Sequence, residues 1–359
     1  MGPYSSLSPQ LLTCLYNALQ PRPWATPHLR SAELGDPSRG IDRHHADDAT
    51  ARRIAEFEPL LDVLAGRAPA DSELARNIAR TVIGLNQIKD DDLAGLAMLP
   101  NLARLMIHCR VGSGGIAHLA RVSGLRTLAL AKITTDAIPA LVSLTQVQEL
   151  DLRGVSGLAD HHVPTLRSLA SVHTLFVPSN TLSSDALIAL AARDPERLLR
   201  TLHTYATDDR ALAGILSQQS DITGFFDTYS KATDAGVAAA DLSRVEVLSL
   251  SRAGKMTDAA LSSILSRAPK LTHLKLDGAK ITDKALLDPA NAAALQRLAT
   301  SGTLRELDLG STKISDAAVS TLASLVGIAL LRVAATKITG QGVGQLKQAL
   351  RGCNVVHLG

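Results

Sequence analysis

Three stretches of the chain overlay almost residue for residue: LTHLKLDGAKITDKAL (Leu271–Leu286), LRELDLGSTKISDAAV (Leu304–Val319) and IALLRVAATKITGQGV (Ile328–Val343). The shared frame is L-x-x-L-x-L, about four further residues, I-T/S-D, and then apolar residues at helical spacing. Working outward, VEVLSLSRAGKMTDAAL begins at Val245 and LRTLALAKITTDAI at Leu125. Looser copies start at Leu102, Val147, Val172, Leu199 and Ile222, and a degenerate first copy at Ala79. These eleven starts lie 22 to 27 residues apart, except for one gap of 33 between Leu271 and Leu304. Val355-Val356-His357-Leu358 reads as a final half repeat.

Each unit has a direct physical reading. In L-x-x-L-x-L the leucines face inward from a short strand, because strand side chains alternate between two faces. Thr282-Asp283 and Ser315-Asp316 then place short polar oxygens where a helix starts and its first N–H groups lack partners. A stretch such as AAVSTLASL from Ala317 supplies that helix. One unit cannot bury its own apolar face, so it must stack on its neighbours. Parallel strands joined by right-handed crossovers then give a curved α/β solenoid, strands on the inner wall and helices outside.

This pattern resembles the leucine-rich-repeat family over residues 79–359, and implies its right-handed horseshoe with a short helical N-terminal cap. The I-T-D signature is similar to the type found in F-box/leucine-rich-repeat receptors and in bacterial effector repeat proteins. The Cys or Asn usual in that type is replaced by Ala253, Ala279, Thr312 and Thr336, with Asn180 at the equivalent place in one unit. No continuous asparagine ladder is therefore expected.

Composition agrees with thin stacked layers. The 359 residues are 46% hydrophobic but only 3% aromatic, so the apolar stock is mostly aliphatic. A net charge of +3 gives no ground for nucleic-acid binding. Cys14, Cys109 and Cys353 are distant and odd in number, which fits folding in a reducing, cytoplasmic compartment. No apolar run reaches the roughly 18 residues that span a bilayer. Arginines outnumber lysines, 26 to 11, a leaning towards a bacterial source.

Residues 1–78 do not follow the repeat. SPQLLTCLYNAL is an amphipathic stretch with Ser8 as N-cap and Pro9 at the first helical position. The Pro-rich segment from Pro21 reads as a flexible linker up to residue 46. Residues 47–78 read as a helical cap over the open end of the repeats. The first 20 residues carry no charge, which looks like the type III secretion signal of effectors delivered into a host cell. The same stretch faintly resembles an F-box opening, which would make host ubiquitin-ligase components the partners; Gln10 stands where that motif has Glu. Met1-Gly2-x-x-x-Ser6 fits the formal myristoylation pattern, with Pro3 against it.

Chemistry-bearing motifs are scarce, and neither catalysis, a cofactor nor a metal is expected. Gly112-Ser113-Gly114-Gly115 could cradle a phosphate at a helix start, but lies where each unit makes its strand-to-helix turn. His44-His45 and His161-His162 read as solvated loop histidines without a ligand frame. His108 and Cys109 adjoin on a strand and face opposite ways, which uncouples them as a nucleophile pair.

Leucine-rich repeats generally bind partners on the concave wall, so the resemblance directs attention to the outward strand positions. With leucines at positions s, s+3 and s+5 of the frame, those positions are s+2, s+4 and s+6. The middle repeats then present Phe176, His203, Tyr205 and Phe226. Asp151 and Arg153 flank them on one side and Lys275, Asp277, Asp308 and Arg332 on the other; the first copy presents Ile83 and Leu85. Aromatics ringed by charge have the composition of an interface hot spot for a protein partner. A one-residue slip in the copies at Leu199 and Ile222 would bury some rings, and Asp227 falls at an inward position there. Five of the nine aromatics, Phe176, Tyr205, Phe225, Phe226 and Tyr229, lie in this span, and the other repeats have none. Residues 288–302 of the long unit read as an extended outer helix or loop.

Overall fold

Burying alternate leucines from every repeat requires neighbouring strands to lie side by side in register, and within each compact unit of the chain they do. The computed structural model describes residues 7–8, 10–12, 14–15, 60–67, 82–178 and 181–357. The Pro-rich linker, His44-His45, Asn180, Leu358, most of the 47–78 cap and the Met1–Ser6 pattern lie outside them. The chain forms two compact units that meet at Val172 and His173.

In the first unit β1 (Ile83–Leu85), β2 (Arg104–Val111), β3 (Thr127–Ile133) and β4 (Glu149–Asp151) pair in chain order, all parallel. The second unit continues with β5 (Thr174–Phe176), β6 (Thr201–Tyr205), β7 (Gly224–Thr228), β8 (Val247–Ser251), β9 (His273–Lys275), β10 (Glu306–Asp308), β11 (Leu330–Arg332) and β12 (Asn354–Val356). These eight are also parallel and in order. Short α or 3-10 helices separate successive strands, and residues 288–302 contribute the helix Pro289–Thr300.

Inside each unit the leucines form columns. Leu105, Leu128 and Leu150 pair across β2, β3 and β4. Leu175, Leu202, Phe225, Leu248, Leu274, Leu307, Leu331 and Val355 form the matching column in the second unit. Each buried leucine contributes roughly 1.5–3 kcal/mol. At the N-terminal side Leu7, Leu11, Leu12 and Leu15 are buried. A Cβ on Gly95 would come within 2.8 Å of Leu7 and 3.0 Å of Leu11, so this apolar face packs on the first repeat.

The I-T-D signature has a division of labour that the spacing alone does not reveal. The Thr or Ser caps its own helix: Thr233, Thr257, Thr282, Ser315 and Thr339 each accept a hydrogen bond from the first turn. The Asp reaches the next repeat instead. Asp209 accepts from the N–H and hydroxyl of Thr233 (2.6 and 2.8 Å). Asp234 does the same for Thr257 (2.8 and 2.6 Å), and Asp258 for Thr282 (2.7 and 2.7 Å). Asp283 binds Ser315 (2.7 and 2.6 Å), and Asp316 binds Thr339 (2.8 and 2.7 Å). The Thr339 bonds hold the Asp316 carboxyl below its ordinary range. That junction therefore contributes stability above the unfolded carboxylate range, lost as pH falls through the folded value. The carboxylate also demands a small residue at the next helix: a Cβ on Gly236 would lie 2.5 Å from Asp209 Oδ1.

Where β6 to β11 turn towards their helices, the seventh residue after the frame start adopts the left-handed region. Ala206, Tyr229, Arg252, Ser311 and Ala335 have φ between 52° and 59°, and Gly278 has φ of 75°. Five side chains thus occupy a conformation that costs a non-glycine residue about 1–2 kcal/mol.

The slot at s+5 is occupied differently in two adjacent repeats. Thr204 and Asp227 pair across β6 and β7, and both are buried. Asp227 accepts from Thr204 Oγ1 (3.1 Å), from the N–H of Thr207 (3.2 Å) and from the Thr207 hydroxyl. Burial outweighs these bonds and pushes the Asp227 carboxyl above its usual range.

Replacing Asp258 by Ala removes two bonds to a charged acceptor; we expect a loss of about 2 kcal/mol and a lower melting temperature in calorimetry. Ser311→Gly relieves the left-handed turn. It is expected to stabilise by about 0.5–1 kcal/mol once glycine's entropy is counted, read as a higher denaturant midpoint. For Asp227 the raised folded pKa means that its stability contribution is fullest below the unfolded value and declines as pH rises through the folded one. The melting temperature of Asp227→Asn should therefore gain on the parent as pH rises from the unfolded carboxylate range through the raised folded value.

Candidate protein-binding face

Because the leucine column is continuous through β5–β11, the frame does not slip at Leu199 or Ile222. Phe176, His203, Phe226, Ser249, Lys275, Asp308 and Arg332 consequently share one row on the opposite face. The degenerate first copy does shift. Ile83 pairs with Leu105, so its frame starts one residue later, and Ile83 and Leu85 are core residues at 0% exposure.

Register converts that row into a ring stack. Phe176 lies on His203 with centroids 3.7 Å apart and planes 18° from parallel, and His203 lies on Phe226 at 4.1 Å and 10°. Parallel strands place equivalent residues about 4.8 Å apart, so the rings lean together to reach contact. A second stack runs beside it, one turn further along each repeat. Tyr205 meets Tyr229 at 5.1 Å, and the guanidinium of Arg252 sits 4.3 Å above the Tyr229 ring. Arg252 Nη1 also donates to the Tyr229 hydroxyl. Tyr229 and Arg252 both occupy the left-handed turn position, which for such bulky residues marks a constrained site.

The charged side chains beyond β8 form a connected strip. Lys275 Nζ lies 3.6 Å from Asp277 Oδ1 and 3.9 Å from Asp308 Oδ2, and Arg332 Nε lies 3.7 Å from Glu306 and 3.9 Å from Asp308. Asp308 departs from the expectation of an open surface group: it is 4% exposed, clasped between the two cations and bonded by the Gly310 N–H at 2.9 Å. Burial pushes its carboxyl upward. Asp151 and Arg153 belong to the first unit, where Arg153 grips Asp151 through Nε (3.0 Å) and Nη2 (2.6 Å).

The remaining candidates resolve into structure. Gly112 N–H donates to both Asp90 oxygens (3.1 and 3.0 Å), and a Cβ on Gly115 would stand 2.5 Å from Asp90 Oδ1. The chain's own carboxylate thus takes the place a phosphate would need. His161 is exposed as expected, but His162 is not a solvated loop residue. It is 6% exposed, its Nδ1 accepts from the Ala159 N–H at 3.1 Å, and burial lowers its pKa. His108 is exposed and Cys109 half-buried on β2, whose pairing with β3 shifts between Ile107 and Arg110. Among the described residues no cluster of His, Cys, Asp or Glu could hold a metal, and no helix is long and apolar enough to cross a membrane.

Periodicity does not point to Arg252, because it sits at s+7, outside the alternating strand positions. Tyr229 stands out in the sequence only as one of the clustered aromatics. Without glycine at those turns, no residue type signalled the left-handed conformation that brings both side chains to the face.

A family model described as "Leucine Rich repeat" matches residues 301–323. No characterised protein matches the chain in sequence. Among solved structures, an internalin (inlF) from Listeria monocytogenes is 18% identical with a TM-score of 0.42, covering 84% of this chain and 87% of its own. A TLR13–ssRNA13 complex is 17% identical with a TM-score of 0.39, covering 77% of this chain and 38% of TLR13. With its strand–turn–helix units, its leucine columns and a repeat model matched on one of them, the chain is similar to leucine-rich-repeat proteins.

Proposed function

We propose that the chain is a non-enzymatic interaction module that holds a protein partner on the exposed strand face of the 173–359 unit. The single observation that carries this reading is the paired stack Phe176–His203–Phe226 and Tyr205–Tyr229–Arg252. Aromatic and arginine side chains are the residues that most often dominate binding energy, and here they are gathered on a surface that the leucine columns do not need. The strip of Lys275, Asp277, Asp308 and Arg332 forms the polar rim, and Asp151 with Arg153 offers a further charged pair on the first unit. The setting we favour is a secreted bacterial effector, on the strength of the uncharged first 20 residues. An F-box-like receptor is less well supported, because Leu7, Leu11, Leu12 and Leu15 are spent on the first repeat.

The test is a Phe176→Ser/Tyr205→Ser double variant compared with the parent, both in melting and as bait in host lysate. Loss of two ring contacts, about 0.5–1.5 kcal/mol each, should lower the melting temperature by no more than a few degrees. The specifically retained protein, identified and titrated, should bind the variant at least about tenfold more weakly. A collapse of thermal stability, or unchanged affinity, would refute the reading.

A further inference from the structure

The two stacks end differently at β8. The Tyr205–Tyr229 stack is completed there by Arg252, whereas the Phe176–His203–Phe226 stack meets Ser249. Ser251, the other outward residue at the end of that strand, is equally small. The next residue in the row, Lys275, turns its ammonium to Asp277 and Asp308, towards its own strand and β10. Two strand spacings separate Phe226 from Lys275, roughly 10 Å, which leaves room for a planar ring in contact at about 3.5–4 Å with each. Phe226 leans towards His203, which widens the notch further.

We infer that this notch, floored by Ser249 and Ser251, receives an aromatic side chain from an acidic–aromatic segment of a protein partner, as the fourth rung of the stack. The inference rests on the reading of this face as a protein-binding surface. Aromaticity follows from the uncapped face of Phe226. Acidity follows from the exposed guanidinium of Arg252, which is engaged by the Tyr229 ring and hydroxyl, while Asp277 accepts only from the Arg252 backbone N–H (3.4 Å). A nucleobase would also stack, but a phosphate backbone, charged at every nucleotide, would run along the row against Asp277, Asp308 and Glu306, whereas the partner's single carboxylate need reach only the Arg252 guanidinium on the Tyr229 side.

Ligand-observed and protein-observed NMR titrations of the full chain test it, with acetyl-Glu-Tyr-amide as probe and acetyl-Lys-Tyr-amide, acetyl-Glu-Leu-amide and adenosine monophosphate as comparisons. The expected result is saturable binding whose shifts centre on Phe226 and residues 247–252. It should be about threefold or more tighter than either comparison dipeptide. Ser249→Ala, which keeps the notch open, should bind as the parent does, and Ser249→Phe should fill the notch and lose binding. Arg252→Gln should abolish only the preference for Glu over Lys, a readout that stands even if Ser249→Phe fails to fold. Equal binding of all dipeptides, shifts elsewhere on the chain, or stronger binding of adenosine monophosphate would overturn the inference. If no dipeptide binds while the Phe176/Tyr205 variant still loses its captured partner, the notch falls and the reading of the face stands. If that variant loses nothing, both fall.

Discussion

The strand face from β6 to β11 depends on one kind of bond, made where the helices of those repeats begin. The carboxylate at the start of each helix binds both the N–H and the hydroxyl of the next repeat's Thr or Ser, at 2.6–2.8 Å in five successive junctions. Leucine columns alone supply a driving force without direction, since burial of apolar area is indifferent to small rotations. A two-pronged, charge-assisted bond is directional. It sets where each helix begins relative to the one before, and therefore the register of the strand that precedes it. The same device recurs in the first unit, where Asp90 caps Gly112 and glycines at 112 and 115 make room for it.

Once register is set, the face becomes an array in which one residue per repeat is copied at strand spacing. Five aromatic side chains lie in three consecutive repeats, and the array turns four of them, with His203, into stacked contacts instead of scattered rings. Two locally unfavourable features sit beside them. Asp227 fills a leucine slot and binds the turn at Thr207, directly behind Tyr205. Tyr229 and Arg252 accept a left-handed backbone. Core energetics would favour leucine in the first case and glycine in the second; the left-handed turn recurs at Ser311 and Ala335, whereas the buried Asp227 belongs to a repeat that carries the aromatic face.

Much of this was legible in the residues. The repeat length, the inward leucines, the helix starts and the outward positions of Phe176, His203, Tyr205 and Phe226 all follow from periodicity. The degenerate first copy misled by one residue, because Val82 and Gly84 carry too little pattern to separate two frames; pairing of Ile83 with Leu105 settles it. Alternation places Asp308 on the outward face but reports only which face a residue is on, not how deeply its neighbours enclose it. His162 was misjudged for a similar reason: the burial of a loop side chain is set by what packs over it.

The sequence by itself determined the unit: a strand, a turn and a helix whose apolar faces can be buried only by another copy. Tertiary structure decided what the copies do to one another. Whether Asp caps its own helix or the next one, whether neighbouring rings stack, and where a stack runs out at a serine are relations between residues some 23 to 32 positions apart. Those relations depend on the exact stagger of one repeat on the next. That stagger is fixed by bonds between units, so no single unit encodes it.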